Sequence, residues 1–311
     1  MPVVSVGNLT VGGTGKTPFV EYLVRYFLQQ QKKVAVVSRG YKRRTRGTVV
    51  VSDGNAMYGN AVTAGDEPVQ IAKKFPRIVV IVDERRARGA KHAIGQFGVD
   101  VIILDDGFQH RSLKRDMDII MIDGEKSLRT MPLLPAGMRR EPLSALRRAD
   151  VVAVTRRSNS GNGIHAISQF LSSPYIEAQF KPTRVCRFIT GQSIPLSEIY
   201  GKTCAAFCGI GNPQSFYDSL KNIGVKVVDV LTFSDHHFYK TSDWEMIEKR
   251  FADKHADILI TTEKDAVRLR SGKTSEMTNA DALHYLEIEA EIVEGEAVLH
   301  TLIDSMMKRF A

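Results

Sequence analysis

Gly12-Gly13-Thr14-Gly15-Lys16-Thr17 follows the apolar run Val3–Val6 and precedes a helical pattern that starts near Pro18. A strand, a glycine-rich turn ending in Lys-Thr and a helix form a phosphate-binding loop. The glycines let backbone N–H groups converge on phosphate oxygens, and the helix N-terminus adds positive potential. Lys16 is placed to reach the β- and γ-phosphates, and the Thr17 hydroxyl to bind Mg²⁺. The usual pattern has a glycine where this chain has Thr10. The flanking strand and helix still predict a nucleoside triphosphate site.

The first half of the chain alternates short β-branched runs with helical patterns, which is typical of a parallel sheet with helices on both faces. The apolar runs are nearly continuous, as expected for strands covered on both sides. The predicted strands are Val3–Val6, Val34–Ser38, Thr48–Ser52, Ile78–Val82, Val101–Leu104, Ile119–Ile122 and Val151–Thr155. Together with the glycine-rich loop they predict an α/β fold of P-loop NTPase type, with a doubly wound, mostly parallel sheet.

A second, smaller α/β domain is expected to start near residue 181. The division would give a nucleotide-binding core at 1–180 and a C-terminal domain at 181–311 that contributes to the active-site cleft. The stretch Arg156–Asn162 breaks the pattern and is expected to be an exposed loop. The strands predicted in the second domain lie near Cys204–Phe207, Val225–Val230, Ile258–Thr262 and His284–Ile292, with a final helix at about Glu294–Arg309.

Composition sets the class of protein and the charge of its partners. The 311 residues carry a formal charge of +8, which favours an anionic partner: a nucleotide, a phosphorylated substrate, nucleic acid or an acidic membrane. Three irregularly spaced cysteines are too few for a disulfide framework and fit a reducing compartment. We expect no signal peptide and no membrane-spanning segment, since no apolar run approaches the roughly eighteen residues of a membrane span.

Two adjacent carboxylates follow a hydrophobic strand. Asp105 and Asp106 come directly after Val101–Leu104, and the carboxyl ends of strands face the ligand crevice in open α/β sheets. A carboxylate there can hold Mg²⁺ and so neutralise charge on the β- and γ-phosphates. The following Gln109 and His110 are suited to metal-bound water or substrate, although a plain tight turn is the competing interpretation.

Four other parts of the sequence are interpreted from their residues alone. Asp66 precedes Glu-Pro and is typical of a helix N-cap. Ser234–Phe238, with two histidines, could supply a base or a metal site or be a polar loop. Pro135–Pro142 is a rigid basic loop that lies near phosphate or is simply solvated. Arg85–Arg88 is an anion-binding patch or an exposed helical face.

The segment after Val151–Thr155 bears on the choice of nucleotide. GTP-binding proteins of this architecture often place Asn/Thr-Lys-x-Asp there, and the Asp binds guanine. This chain has Thr155-Arg156-Arg157-Ser158, with no carboxylate at the fourth position. ATP is therefore the expected nucleotide, and a P-loop GTPase or metallochaperone that works as a nucleotide switch is the alternative. A nucleic-acid-binding ATPase would fit the charge but lacks basic motifs interleaved with aromatic residues.

Taken together, these motifs resemble the tetraacyldisaccharide 4′-kinase family of lipid A biosynthesis. They occur in order along nearly the whole chain, so the resemblance is specific. The matching segments are Ser5–Pro18, Ser38–Tyr41, Gly65–Pro68, Asp105–His110, Leu134–Gly137, Arg140–Pro142, Phe207–Pro213, Asp235–His237 and Thr262–Ala266.

The resemblance implies an ATP- and Mg²⁺-dependent kinase. Its reaction would transfer the γ-phosphate to the 4′-hydroxyl of a tetraacylated disaccharide 1-phosphate lipid and form lipid IVA, without a nucleic-acid partner. It also implies Asp66 as catalytic base, assisted by the histidine of the Asp-His motif, for which we choose His236 over His237. Together with the motifs above, the predicted roles are catalytic for Asp66, His236 and Lys16, nucleotide-binding for Gly12, Gly13, Thr14, Gly15, Lys16 and Thr17, and magnesium-binding for Thr17, Asp105, Asp106, Gln109 and Glu141.

The resemblance further implies peripheral attachment to the cytoplasmic face of the inner membrane. Members of the family usually carry an apolar N-terminal helix before the phosphate-loop strand, whereas this sequence begins at that strand. Either the sequence is truncated, or this member is expected to dock on the membrane by other surfaces.

Overall fold

The computed structural model describes residues 1–156, 167–272 and 280–310. The chain divides into two compact units. The first unit contains residues 1–59, 63–180 and 290–311, and the second contains residues 60–62 and 181–289. Beyond Arg156, the exposed loop predicted at 156–162 lies outside the described residues.

Strands and helices alternate along the chain in the order expected for an α/β protein. Short 3₁₀ turns lie at Leu143–Arg148, Ser168–Phe170, Leu196–Glu198 and Ala280–Ala282. The strands are β1 Val3–Asn8, β2 Val34–Ser38, β3 Val49–Asp53, β4 Val79–Val82, β5 Val101–Asp105, β6 Met117–Asp123, β7 Val151–Thr155, β8 Tyr175–Arg187, β9 Ser193–Ile194, β10 Thr203–Cys208, β11 Lys226–Thr232, β12 Ile258–Thr262 and β13 Leu283–Glu294. The helices are α1 Lys16–Gln29, α2 Ala61–Ala64, α3 Asp66–Lys74, α4 Arg86–Phe97, α5 Pro213–Asn222, α6 Thr241–Asp253, α7 Glu263–Arg270 and α8 Glu296–Lys308.

The sheet of the first unit has the order β8-β7-β6-β1-β5-β2-β4-β3. Its neighbouring strands are parallel except for β3, which runs antiparallel to β4. All residues of β1, β2 and β5 are buried, because apolar strands inside a parallel sheet are covered on both faces. The predicted mostly parallel, doubly wound sheet is therefore confirmed.

This topology positions chemistry at one edge of the sheet. β1 lies between β5 and β6, and β2 pairs with the other side of β5. Because parallel strands end at the same edge, Asn8, Ser38 and Asp105 lie near one another at their carboxyl ends. Helix α1 starts after the loop that follows β1 and buries Phe19, Leu23 and other apolar side chains.

The second unit has its own parallel strands in the order β11-β10-β12-β13. Its core includes Cys204, Cys208, Phe216 and Leu220. All three cysteines are buried free thiols, and burial raises the pKa of Cys208 to about 11, so this side chain acts as a small apolar residue.

The strand predictions hold within a few residues except at β8 and β9, which we did not predict. β8 contains Pro182 and an irregular burial pattern, so neither an alternating nor a continuous apolar run marks it. The final helix α8 lies in the first unit, where Tyr22 and Tyr26 donate hydrogen bonds to Glu296 and Asp304, each at 2.7 Å.

Helix length and polarity also bear on membrane attachment. Within the described ranges, no helix combines the length and the apolar character that crossing a bilayer requires.

Candidate active site

β1 delivers Asn8 to the start of the phosphate-binding loop. The Asn8 side-chain amide donates to Thr14 Oγ1 at 3.1 Å and to the Gly12 carbonyl oxygen at 3.5 Å, so it ties the strand end to the loop. Gly12 and Gly15 have φ of 107° and 85°, a region that residues with a Cβ rarely adopt. Sequence reasoning gave Asn8 no role, although its place as the last strand residue before a glycine-rich turn is a usable signal.

The segment after β7 also holds this loop. Arg156 Nη2 donates to the Gly13 carbonyl oxygen at 2.7 Å, and Arg156 Nη1 lies 3.4 Å from Asp123 Oδ2. Thr155 Oγ1 lies 3.5 Å from the Thr14 carbonyl oxygen, to which it donates. Thr155 and Arg156, which open the segment where GTP-binding proteins carry their guanine-binding motif, therefore contact the phosphate loop here.

Lys16 and Thr17 are the first two residues of α1, where the helix N-terminus favours negative charge. Lys16 Nζ lies 3.5 Å from Asp106 Oδ1. Thr17 is buried. The structure thus brings the loop lysine and one of the two predicted strand-end carboxylates into contact.

The two aspartates after β5 differ in their surroundings. Asp105 is buried, and its Oδ2 accepts a hydrogen bond from Ser38 Oγ at 3.2 Å. Asp106 turns the chain with φ 53° and accepts from Arg140 Nη1 at 2.9 Å on both carboxylate oxygens. Burial alone would raise the pKa of Asp106, but Lys16 and Arg140 outweigh it and hold that pKa below its usual range. Asp106 is therefore ionised at neutral pH.

Gln109 and Glu141 belong to the same network. The Gln109 amide donates to Glu141 Oε1 at 3.1 Å and to the Asn8 carbonyl oxygen at 3.0 Å, while its Oε1 accepts from Arg140 at 3.2 Å. Glu141 Oε2 accepts from Arg148 at 2.7 Å. A continuous chain of polar contacts therefore runs from Lys16 through Asp106 and Arg140 to Gln109 and Glu141, although the three segments that carry these residues are far apart in sequence.

The donor set fits Mg²⁺, which prefers oxygen ligands. Thr17, Asp105, Asp106, Gln109 and Glu141 supply hydroxyl, carboxylate and amide oxygens. Within the part of the chain that the structure describes, no group of three His, Cys, Asp or Glu side chains is arranged to hold a metal by itself. Mg²⁺ commonly binds one or two carboxylates and completes its coordination with water and substrate phosphates, so these residues suit an ion that arrives with a nucleotide.

The arginines at 85–88 do not act as one surface. Arg85 and Arg88 are exposed, and Arg88 pairs with Asp83 at 2.7 Å. Arg86 is buried, and burial lowers its pKa, whereas Asp105 and Asp106 counteract that shift. Neither interpretation of the segment is therefore correct as a whole, since Arg86 lies within electrostatic reach of the aspartate pair while its neighbours face solvent.

Asp66 is the first residue of α3, and the N-cap position belongs to Gly65. The simple N-cap interpretation of Asp66 is therefore wrong. Asp66 is buried, and its Oδ1 lies 3.0 Å from the Glu67 amide nitrogen, from which it accepts. A Cβ at Gly65 would lie 3.0 Å from the Tyr41 carbonyl oxygen. The segment that follows Ser38 at the end of β2 therefore packs closely against the segment that precedes Asp66.

The two histidines of the second unit have different partners. His237 Nε2 lies 2.9 Å from Asp243 Oδ2, and its ring stacks on Phe233 at a centroid distance of 4.6 Å. His236 has φ 56°, donates its N–H to the Gly209 carbonyl oxygen at 3.1 Å and lies 3.8 Å from Asp235. His237 thus anchors its loop to α6. The choice of His236 over His237 stays a prediction.

Comparison with known proteins decides the family. The model of the family described as LpxK, tetraacyldisaccharide-1-P 4′-kinase, matches residues 1–308. The chain belongs to this family. The resemblance inferred from the sequence motifs is confirmed, and so is the assignment of the chain as a kinase.

Individual relatives agree with this membership. The tetraacyldisaccharide 4′-kinase of Halothermothrix orenii is 40% identical over 283 residues, covering 86% of this chain and 73% of that protein. That of Syntrophus aciditrophicus is 36% identical over 317 residues, covering 98% and 84%. The crystal structure of LpxK from Aquifex aeolicus in complex with ATP has a TM-score of 0.79 and 33% identity, covering 99% of this chain and 89% of that chain. The P-loop kinase fold is therefore confirmed, and a GTPase or metallochaperone switch is not favoured.

Proposed function

We propose that this family member transfers the γ-phosphate of ATP to the 4′-hydroxyl of a tetraacyldisaccharide 1-phosphate lipid. The observation that carries the proposal is the contact of Lys16 with Asp106 at 3.5 Å and of Asp106 with Arg140 at 2.9 Å. These contacts join the phosphate-binding loop to Asp106, one of the two strand-end carboxylates. Membership in the family indicates that the phosphate acceptor is a tetraacyldisaccharide 1-phosphate.

The phosphate loop and Lys16 bind the β- and γ-phosphates in this proposal. Gly12, Gly13, Thr14, Gly15 and Thr17 contribute the rest of the loop, whose N–H groups and helix N-terminus suit anionic oxygens. Thr17, Asp105, Asp106, Gln109 and Glu141 would hold Mg²⁺. When bound, Mg²⁺ neutralises charge on the β- and γ-phosphates.

Asp66 accepts the proton of the 4′-hydroxyl. The oxygen of that hydroxyl bonds to the γ-phosphorus, and the bond between the γ-phosphorus and the ADP leaving group breaks. His236 orients or tunes that carboxylate. Burial of Asp66 supports this role, since a buried carboxylate is shielded from bulk water. A general base contributes about 10²–10⁴-fold to turnover.

The reaction is tested by incubating the protein with radiolabelled ATP and purified disaccharide 1-phosphate lipid, followed by thin-layer separation. We expect a new, more polar labelled lipid. ATP hydrolysis without a labelled lipid would contradict the kinase assignment.

The base is tested by comparing Asp66→Asn with Glu67→Gln, which changes the neighbouring carboxylate in the same helical turn. We expect Asp66→Asn to lower kcat by about 10²-fold or more while the affinity for an ATP analogue and Mg²⁺ stays unchanged, and Glu67→Gln to keep most activity. Equal turnover of the two variants would exclude Asp66 as the base.

We also propose that the protein docks peripherally on the cytoplasmic face of the inner membrane. An apolar loop surface formed by Val11, Leu133, Leu134 and Met138 is exposed beside the phosphate loop, and the Val11 N–H donates to the Met138 carbonyl oxygen at 2.8 Å. Exposed apolar side chains grouped in this way are typical of interaction sites, and the net charge of +8 favours an anionic bilayer.

Sedimentation with vesicles that contain anionic phospholipid tests this surface. Leu133→Ser/Leu134→Ser should reduce the bound fraction, whereas Ile94→Ser, which removes an exposed apolar side chain from α4, should leave it unchanged. Equal binding of both variants would contradict docking through this loop.

A further inference from the structure

A buried ion pair in the second unit lies directly against the loop that carries His236. Asp265 and Arg268 lie on α7 and are almost fully buried. Arg268 Nη1 lies 2.8 Å from Asp265 Oδ1. The mechanism proposed above assigns neither residue a role.

The pair forms hydrogen bonds with both the N–H and the carbonyl oxygen of one residue, Gly209. The Gly209 N–H donates to the two Asp265 carboxylate oxygens, each at 3.1 Å. Arg268 Nη1 donates to the Gly209 carbonyl oxygen at 2.6 Å. The same carbonyl oxygen accepts the N–H of His236 at 3.1 Å. The backbone of His236 is thus linked to the ion pair through a single carbonyl group.

Packing leaves the histidine loop little room to shift. A Cβ at Gly209 would lie 3.0 Å from the Ser234 carbonyl oxygen and 3.1 Å from His237 Cβ, so the loop is in close contact with that glycine. Asp265 Oδ1 also accepts from the Tyr239 hydroxyl at 2.8 Å, just beyond the histidines. The loop is therefore attached to Asp265 directly through Tyr239 and indirectly through the bond from His236 to Gly209.

The backbone of His236 needs such support. Its φ of 56° lies in the left-handed region, which is unfavourable for a residue with a Cβ and persists only when surrounding contacts impose it. A buried ion pair adds little net stability compared with apolar residues of similar size. Its distinctive contribution here is the fixed placement of donors and acceptors around Gly209.

We propose that the Asp265–Arg268 pair is a positioning device for His236. It acts on the reaction through Gly209 and the backbone of the histidine, without contacting substrate. The inference rests on the proposed function, because it takes His236 as a participant in phosphoryl transfer. A misplacement of about 1 Å can cost about 10²-fold in rate.

A double-mutant cycle between Arg268→Met and His236→Ala tests the coupling. We expect Arg268→Met to lower kcat by about 10–10²-fold and to leave the KM for ATP within about twofold, because the nucleotide-binding loop lies in the other unit. In the His236→Ala background, Arg268→Met should cause no further loss, since the residue through which it acts is already missing. Arg250→Met, which breaks the pair with Asp229 in the same unit, should leave kcat unchanged.

A milder variant keeps the test decisive if Arg268→Met does not fold. Tyr239→Phe removes one donor to Asp265 and keeps the ring that packs on Phe233 and His237. We expect Tyr239→Phe to lower kcat less than Arg268→Met does, and to cause no further loss in the His236→Ala background. In NMR spectra, the ring signals of His236 should shift more than those of His237.

Three outcomes would overturn the inference, and they are distinguishable. Equal losses of kcat in the presence and absence of His236 would show that Arg268 acts independently of the histidine. A fully active Arg268→Met enzyme beside an impaired His236→Ala enzyme would refute the positioning role alone. A fully active His236→Ala enzyme would remove the histidine from the proposed mechanism and the inference with it.

Discussion

Replacing Gly15 by alanine should destabilise the folded protein even when no nucleotide is bound. Gly15 has φ 85°, and a Cβ there would lie 1.8 Å from Phe180 Cζ and 2.3 Å from Phe180 Cε2. Gly13 lies two residues earlier in the same loop, and a Cβ there would meet nothing within 4 Å. Gly13 is therefore a suitable control for Gly15, because the two glycines lie in the same loop but differ in backbone conformation and in the room available for a Cβ.

The expected magnitude has two parts. The left-handed backbone costs a residue with a Cβ roughly 1–2 kcal/mol, and forcing an extra carbon against the Phe180 ring costs roughly 1–3 kcal/mol. Gly15→Ala should thus lower the free energy of unfolding by about 2–5 kcal/mol, which corresponds to a fall in Tm on the order of 10 °C for a unit of this size. Gly13→Ala should change stability by less than about 1 kcal/mol.

Thermal unfolding followed by circular dichroism without nucleotide is the assay. Adding Phe180→Ala to Gly15→Ala should recover the steric part but not the backbone part, so the double variant should be more stable than the sum of the single effects predicts. If Gly15→Ala unfolds at the same temperature as Gly13→Ala, the argument from φ and from the Phe180 ring is refuted.

Three further predictions concern the phosphate loop and the second unit. Lys16→Met should lower kcat by about 10²–10³-fold in the radiolabelled ATP assay, and activity near that of the parent would remove Lys16 from the site. Asn8→Ala should raise the Kd for an ATP analogue by about 2–10-fold in calorimetry, because the loss of the hydrogen bond to Thr14 costs about 0.5–1.5 kcal/mol. An unchanged Kd would show that the loop keeps its shape without this hydrogen bond. The Arg250 guanidinium holds the pKa of Asp229 below its usual range, so the pair stabilises the fold at neutral pH and this stabilisation is lost as the pH falls through the lowered pKa. The Tm difference between the parent and Asp229→Asn should therefore shrink from pH 6 toward about pH 3, and a difference that grows on acidification would contradict the assigned sign.

The parallel sheet and the phosphate loop were predictable because both depend on local patterns. Glycines at fixed positions set the loop, and unbroken apolar runs identify strands that are covered on both faces. β8 escaped prediction because Pro182 and its mixed burial give no such pattern. The N-cap interpretation of Asp66 failed because the cap belongs to Gly65, and a one-residue difference at a helix start is not encoded in composition.

The chemistry around the aspartates needed tertiary structure. Sequence alone treated Asp105 and Asp106 alike, but only Asp106 turns with a positive φ toward Lys16 and Arg140. It likewise could not separate buried Arg86 from its exposed neighbours.

The sequence by itself therefore determined the family, the fold class and the type of loop that binds the triphosphate, since each depends on short motifs or patterns whose own residues are close together in the chain. Tertiary structure alone decided which charges meet at the strand ends and which partners each of the two histidines has. Those contacts join residues that are far apart in the chain, and only the packing of strands and loops brings them within hydrogen-bonding distance.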